Sequence, residues 1–277
     1  MNGKGPGLFS DIGKQGRDLL FKDYSNDQKL TIASFSDIGV GLNSTVVKRG
    51  GLYTGDVAAQ YKHKNSVLDF KFDTESNISS VLTVTDILPS THVIASLRLP
   101  DYKSGKLEVQ HFHEHATFTT AFSLNKSPSV DISATLGTPH IAFGAEASYL
   151  TNSGLFAKYN AGVSVPKADS NVSAILADKG DSVRVAYLHR FEQLNGGAVV
   201  GEISRKFSTN ENTLTVGCSY VVDSQTVVKA KLNNHGNLGA LLQHQLTPKS
   251  FLTISGAFDT NALANYPKFG LALFLKP

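Results

Sequence analysis

Polar and apolar residues alternate along most of the chain. Leu107 and Val109 share one face of a segment whose other face carries Lys106, Glu108 and Gln110. Successive side chains of a β-strand point to opposite faces, so this pattern predicts a half-buried strand. Similar segments recur from about residue 28 to about residue 276, separated by turns rich in glycine, asparagine and aspartate. Their spacing predicts on the order of 18 to 20 antiparallel strands in one meander.

The N-terminal segment follows a different period. Apolar or small residues recur there at spacings of three and four: Phe9, Ile12, Gly16, Leu19 and Leu20. This pattern predicts one amphipathic helix over about residues 6–20, with Lys14 and Arg17 on its other faces. A mitochondrial presequence is the alternative interpretation, but Asp11 and Asp18 argue against it because such peptides are poor in acidic residues.

The apolar faces of the predicted strands favour lipid over water. The longest apolar run, Leu271 to Leu275, is far shorter than the roughly 20 residues of a transmembrane helix. Bulky residues such as Phe70 and Phe72 need an apolar partner, which lipid supplies, while opposite faces are small and hydrophilic. Since a sheet cannot leave an open edge in hydrocarbon, we predict a single membrane β-barrel domain over residues 1–277, with the barrel at about 28–276. A soluble β ligand-binding protein, the alternative, would express without detergent.

Composition argues against an enzyme and against nucleic-acid binding. The net charge of +3 is small, and no cluster of aromatic and basic residues appears. Cys218 is the only cysteine, so a disulfide framework and a thiol zinc site are excluded. His111, His113 and His115 offer a metal site on one strand face, but we interpret them as the interfacial end of a strand. We therefore predict no enzymatic activity, no cofactor and no metal site.

Two motifs, one near each end of the chain, are specific to a known family. The stretch Tyr220-x-x-Asp223-Ser224-x-Thr226-x-x-x-Ala230-Lys231-Leu232-Asn233 matches its porin signature, and the N-terminal run Asp11-Ile12-Gly13-Lys14, Arg17-Asp18-Leu19-Leu20, Lys22-Asp23-Tyr24 follows its helix pattern. The chain thus resembles the voltage-dependent anion channels, the eukaryotic mitochondrial porins, and most of all a plant member. The resemblance implies an all-β, 19-stranded transmembrane β-barrel with the N-terminal helix inside the pore. With an odd count, the antiparallel meander must be closed by a parallel first and last strand pair, near 29–34 and 268–275.

The last predicted strand also fits the family's insertion signal, a polar residue, a glycine and two hydrophobic residues. These are Lys268, Gly270, Leu273 and Leu275. The resemblance implies insertion by outer-membrane assembly machinery and a location in the mitochondrial outer membrane, with a plastid or plasma membrane as alternatives. The expected partners are membrane lipids, permeating anions and nucleotides, and this machinery, with a homo-oligomer left open.

The resemblance implies a voltage-gated, weakly anion-selective channel for ions and small metabolites such as ATP and ADP. A protein-translocating barrel of the related mitochondrial import-pore family is the alternative, and the porin signature argues against it. One departure concerns the fourth strand, where animal members carry a lipid-facing glutamate and this chain has Phe72. Any function that depends on that carboxylate should be absent.

The predicted pore is wide, so wall charge should set its selectivity. Nineteen strands about 4.8 Å apart and tilted about 40° give a backbone diameter near 38 Å, and side chains and the helix leave an aperture of roughly 15 to 20 Å. Charges act in such a pore over a Debye length of about 8 Å. The basic residues predicted to line it are Lys14, Arg17, Lys106, Lys158, Arg184, Lys229, Lys231 and Lys268. They oppose Glu108, Asp131 and Glu146, and the surplus predicts a modest preference for anions.

Voltage gating is a hypothesis that rests on the charges of the N-terminal helix. Moving one charge through 100 mV changes the free energy by about 2.3 kcal/mol, so a displaced helix carrying Lys14 and Arg17 would respond to tens of millivolts. The helix residues involved would be Phe9, Ile12, Lys14, Gly16, Arg17, Leu19 and Leu20.

Overall fold

The computed structural model describes residues 5–192, 196–261 and 267–276. Their strands form one 19-stranded sheet. The first ten strands are β1 Gln28–Phe35, β2 Val40–Arg49, β3 Leu52–His63, β4 Ser66–Asp73, β5 Ile78–Thr85, β6 Thr91–Leu99, β7 Lys106–Phe112, β8 Ala116–Ser123, β9 Ser129–Thr138 and β10 Ile141–Leu150. The other nine are β11 Leu155–Pro166, β12 Ser170–Ala177, β13 Ser182–Phe191, β14 Gly197–Lys206, β15 Glu211–Asp223, β16 Thr226–Asn233, β17 Asn237–Thr247, β18 Ser250–Asp259 and β19 Lys268–Leu275.

The sheet closes on itself as a barrel. Each strand pairs with its sequence neighbours in antiparallel fashion, and β1 also pairs with β19 in parallel, from Gln28 opposite Leu271 to Ile32 opposite Leu275. The prediction of a 19-stranded barrel closed by a parallel pair is confirmed. The closure satisfies the backbone groups that an open edge would leave unpaired in lipid.

The two faces of the sheet differ as the alternation predicts. One face contacts the N-terminal helix and is the lumen, and the other presents large apolar side chains such as Phe70, Phe72 and Phe118. Five tyrosines on this outer face are exposed in the isolated chain: Tyr53, Tyr61, Tyr159, Tyr187 and Tyr220. The outer face therefore has the composition of a lipid-facing surface.

The N-terminal segment is two helical pieces, which corrects the prediction of one helix over residues 6–20. A 3-10 turn runs from Phe9 to Asp11, and α1 runs from Lys14 to Phe21. Gly13 separates them with φ of +69°, a left-handed conformation that interrupts a right-handed helix. Within the described residues, no helix is long and apolar enough to cross a membrane.

Candidate functional site: the lumen and its N-terminal helix

The apolar face of the N-terminal segment packs on the lumen wall. Leu19 and Leu20 form a buried cluster with Leu188 on β13 and with Ala198 and Val200 on β14. Phe9, Ile12 and Gly16 are also buried, so the apolar and small helix residues share one wall-facing side despite the break at Gly13. The helix thus lies against one side of the lumen instead of crossing its centre.

Glycines in the wall make room for the helix. A Cβ at Gly144 on β10 would lie 2.7 Å from Phe9 Cδ2, and a Cβ at Gly217 on β15 would lie 2.6 Å from Leu20 Cδ2. Real Cβ atoms do not approach other atoms so closely, so a larger residue at either position would force Phe9 or Leu20 to shift. The wall is shaped to receive these two side chains.

The two predicted helix cations bridge the break at Gly13. Arg17 Nη2 donates to the carbonyl oxygens of Ser10 at 2.8 Å and Ile12 at 3.2 Å, and Lys14 Nζ lies 3.3 Å from an Asp11 carboxylate oxygen. Both cations therefore hold the 3-10 turn to α1, in addition to carrying charge in the lumen.

The segment between α1 and β1 is fastened to the wall at several points. Lys229 Nζ lies 3.8 Å from Asp23 Oδ2, and Lys231 Nζ lies 4.3 Å from the Tyr24 ring centroid and 4.8 Å from that of Phe21. We call these contacts the linker clamp. Two predicted selectivity lysines therefore contact the linker, which strand phase alone does not reveal.

Further contacts secure the end of the linker. Ser255 Oγ donates to the Ser25 carbonyl oxygen. Asp27 Oδ2 accepts from Arg49 Nη2 at 2.7 Å, and this hydrogen bond with the Arg49 charge holds the pKa of the Asp27 carboxyl below its usual range. The chain is thus fixed to the wall from Phe21 to Asp27.

The other predicted wall cations point into the lumen, and three are paired. Lys106 Nζ lies 3.5 Å from Asp131 Oδ2, and Lys158 Nζ lies 2.6 Å from Glu146 Oε1. Arg184 Nε lies 3.6 Å from an oxygen of Glu202. Lys268 faces the lumen on β19 and forms no ion pair within the described part of the chain.

The register identifies all the charged residues of the described strands that face the lumen, and several of them were not among the predicted ones. The lumen-facing basic residues of the strands are Lys29, Arg49, Lys62, Lys71, Arg98, Lys106, Lys158, Arg184, Arg190, Lys206, Lys229, Lys231 and Lys268. The acidic ones are Asp56, Asp69, Asp73, Glu108, Asp131, Glu146, Glu202, Glu211 and Asp259. The basic residues outnumber the acidic ones, so the lumen face of the described strands carries a basic surplus. In β3, Asp56, Ala58 and Gln60 alternate with Val57, Ala59 and Tyr61. This alternation would have identified Asp56 as a lumen-facing acidic residue.

Glu202 is one of the missed residues beside the helix, and Arg190 is another, whose Nη2 donates to Gln15 Oε1 at 3.1 Å. The Glu202 side chain is buried, and Oε2 has no hydrogen-bond partner among the described residues. It lies on β14 two residues from Val200, which contacts the helix at Gly16. A buried carboxylate under a helix that carries Arg17 favours the docked helix through charge.

A cavity of about 600 Å³ lies between the helix and β10–β15. Its lining combines small hydroxyl side chains with cationic ones, and the cationic residues include Arg17, Lys158, Arg184 and Lys206. Glu146, Asp178 and Glu211 line it as well, so the cavity is mixed in charge with a basic surplus. The basic surplus gives the cavity a positive electrostatic potential.

The candidate metal ligands do not converge. His111 lies at the end of β7, where its Nδ1 is 3.0 Å from Thr91 Oγ1, whereas His113 and His115 lie in the following turn with ring centroids 6.1 Å apart. No group of three or more potential metal ligands occurs in the described ranges. Cys218 is exposed on the outer face.

The predicted insertion-signal residues lie on β19, split between its faces. Lys268 and Gly270 face the lumen, opposite Ala257 and Ser255, and Leu273 is opposite outward-facing Leu252. Gly270 contacts the Ser25 carbonyl of the linker so closely that a side chain there would clash. This glycine therefore has a packing role in the finished barrel.

Comparison with known sequences identifies the family. A sequence model described as "Eukaryotic porin" matches residues 5–270. The chain belongs to the eukaryotic porin family. Among similar porins, mitochondrial outer membrane protein porin 2 of Arabidopsis thaliana is 58% identical over 274 residues, with 99% of each chain covered. Porin 5 of Oryza sativa subsp. japonica is 57% identical with the same coverage.

Two further comparisons concern a plastidial porin and a solved porin structure. The outer plastidial membrane protein porin of Pisum sativum is 43% identical over 274 residues, with 99% of each chain covered. A solved mutant of Rh. blastica porin matches with a TM-score of 0.51 at 10% identity, covering 89% of this chain and 95% of that one. That structural likeness concerns the barrel fold alone. The porin family is one of channel barrels and not of enzymes, and this chain is a pore-forming member.

Proposed function

We propose that this porin is a voltage-gated, weakly anion-selective channel of the mitochondrial outer membrane that passes ions and metabolites of the size of ATP and ADP. The observation that carries the proposal is a wide barrel whose lumen holds a surplus of basic side chains beside a docked helix with Lys14 and Arg17. Relatives named as mitochondrial outer membrane porins support the location.

Weak selectivity follows from the way the lumen charges are arranged. Lys106 and Lys158 lie beside carboxylates, so each pair adds a small net field over a Debye length of about 8 Å. A pore of roughly 15 to 20 Å leaves ions hydrated, so no dehydrating filter sharpens the preference. Large anions such as nucleotides would pass with their hydration shells.

Insertion by outer-membrane assembly machinery is part of the proposal. Lys268, Gly270, Leu273 and Leu275 lie on the strand that closes the barrel, so recognition of this segment would precede closure. Leu273→Ser should slow membrane integration in isolated mitochondria, whereas Leu242→Ser on the outer face of β17 should not. Equal integration of both variants would contradict a signal at Leu273.

Reversal potential in a salt gradient tests the selectivity. Lys106→Glu with Lys158→Glu should move the preference towards cations, because both side chains line the lumen. Lys229 and Lys231 are poor choices for this test because they hold the linker clamp. The matched control, Lys64→Glu with Lys126→Glu, makes the same charge change in turns and should have a much smaller effect. Equal shifts in both variants would contradict control by the lumen wall.

A further inference from the structure

The outer face of the barrel is almost free of charged residues. Among the described strands, the lysine, arginine, aspartate and glutamate residues face the lumen with three exceptions. One is Asp223, a strand-terminal residue that accepts the backbone N–H of Gln225 in the next turn. The other two are basic, Lys48 on β2 and Arg205 on β14. Charged residues on a lipid-facing surface are costly except near its edges, so both residues are expected to lie near an edge.

Both basic residues lie at the same edge of the barrel. Lys48 and Arg205 are each the next-to-last residue of an even-numbered strand, and all even-numbered strands end at the edge where β1 begins. We call this edge the starting rim. The outer face of the opposite rim carries His63, His111, His189 and His244. The two rims therefore present different chemistry to the two membrane leaflets.

Each basic residue is paired with an aromatic ring on the same outer face. Lys48 Nζ lies 5.3 Å from the ring centroid of Tyr53, its direct partner on β3, and Arg205 Cζ lies 5.5 Å from that of Phe207. Tyr53 is 63% exposed and Phe207 is 51% exposed. Aromatic rings at strand ends sit at the level of the lipid headgroups, which places both cations at that depth.

Neither cation is neutralised by the described residues. Lys48 and Arg205 form no ion pair there, in contrast to Lys106, Lys158 and Arg184 in the lumen. Arg205 donates one hydrogen bond to Asn210 Oδ1 at 3.1 Å, which leaves most of its guanidinium donors free. Both cations are therefore available to an anion from the surroundings, and at headgroup depth the anionic group present is the phospholipid phosphate.

We propose that Lys48 with Tyr53, and Arg205 with Phe207, form two binding sites for anionic phospholipid headgroups at the starting rim. The phosphate would accept hydrogen bonds from the cation, while the acyl chain lies along the ring and the apolar strand face. Arginine suits a phosphate because its planar fork presents two parallel donors. The sites require only the membrane barrel and not voltage gating, so channel recordings test that function separately.

The absence of tryptophan from the chain allows a site-resolved test. Tyr53→Trp and Phe207→Trp each place one fluorescent reporter beside a proposed site and keep an aromatic ring over the cation. The protein is reconstituted in vesicles that contain four parts phosphatidylcholine and about one part phosphatidylglycerol. In matched samples, bromine quenchers near the headgroup are carried either by the phosphatidylglycerol or by an equal amount of phosphatidylcholine. The ratio of quenching measures the local enrichment of the anionic lipid.

The expected enrichment is on the order of fivefold at each reporter, the factor for one basic residue at an anionic surface. Lys48→Gln should abolish the enrichment reported by Tyr53→Trp and leave the enrichment reported by Phe207→Trp unchanged. Arg205→Gln should abolish the enrichment reported by Phe207→Trp and leave that reported by Tyr53→Trp unchanged. A reporter at the opposite rim, Tyr61→Trp, should show no enrichment. Equal quenching by both lipids at the two sites, or enrichment that survives the matching substitution, would overturn the proposal.

A second measurement covers the case in which a reporter variant does not insert. Native mass spectrometry of the full chain released from the same vesicles counts the retained phosphatidylglycerol molecules. Lys48→Gln with Arg205→Gln should lose them, whereas Lys29→Gln with Lys206→Gln, which removes the same charge from lumen-facing positions at the same rim, should keep them. Equal retention by the two double variants would contradict the sites.

Discussion

Lys231 Nζ lies 4.3 Å from the centroid of the Tyr24 ring, so a lysine of the lumen wall is also a contact of the helix linker. Phe21, at the end of α1, contacts the same ammonium group from 4.8 Å. Each cation–π contact contributes about 0.5 to 1 kcal/mol, and together they favour the docked helix. The linker clamp therefore connects wall charge to helix position.

Lys231→Gln should loosen the helix because it removes both cation–π contacts. A spin label at Ser10→Cys, in a Cys218→Ser background, should report a larger mobile fraction of the N-terminal segment. Lys268→Gln is the matched control, since it also removes a lumen-facing charge but contacts neither ring. Identical spectra for the two variants would show that the clamp does not hold the helix.

Gly217→Val should displace α1 from the wall. A Cβ at this position would lie 2.6 Å from Leu20 Cδ2, and overpacking of this kind costs about 1 to 3 kcal/mol. Thermal unfolding in detergent should occur several degrees lower. Gly201→Val adds the same bulk on the outer face, where a Cβ meets nothing within 4 Å, and should leave Tm unchanged. A normal Tm for Gly217→Val would refute the docked geometry.

Gly13→Ala should lower the free energy of unfolding, because Gly13 forms the left-handed break between the 3-10 turn and α1. Alanine in the left-handed conformation costs about 1 to 2 kcal/mol, and its Cβ would also lie 2.9 Å from Ser173 Oγ. Gly50→Ala has the left-handed cost alone, because its surroundings are open. Denaturant unfolding should show a larger loss for Gly13→Ala, partly restored by Ser173→Ala. Equal losses without rescue would mean that Gly13 does not contact β12 in the folded protein.

Glu202→Gln should weaken attraction between the wall and the helix cation Arg17, while it keeps the shape of the side chain. The expected result is a larger mobile fraction of the Ser10→Cys spin label than in the wild type. The increase should be smaller than the one that Gly217→Val produces with the same label. Glu211→Gln, which removes a lumen carboxylate at the rim, is the control. The experiment contradicts a role for Glu202 if the two variants behave alike.

The sequence allowed much of the fold to be predicted, since alternation fixes the face of each strand residue. Leu107 and Val109 face outward and Lys106 faces the lumen as predicted. The strand count came from the resemblance, because turn spacing alone gives a range. The break at Gly13 was missed because glycine within a helical pattern indicates a weak helix as readily as an interrupted one.

Contacts between distant parts of the chain could not be predicted. Lys231 and Tyr24 meet only because barrel closure brings β16 beside the linker, and no local pattern encodes that distance. Alternation assigns a face and not a partner, so it could not show that Lys158 pairs with Glu146 or that Lys231 holds the linker. The alternation of β14 assigns Glu202 to the lumen face, but the burial of its side chain depends on the helix that covers it.

We propose that this porin is an anion-preferring channel whose docked N-terminal segment takes part in voltage closure. Planar-bilayer recording in a salt gradient, with wild type beside a deletion of residues 1–20, tests it most directly. The wild type should give a reversal potential of anionic sign and close in steps at tens of millivolts, and the deletion should alter or abolish closure. Cation preference in the wild type, or wild-type closure in the deletion, would contradict it.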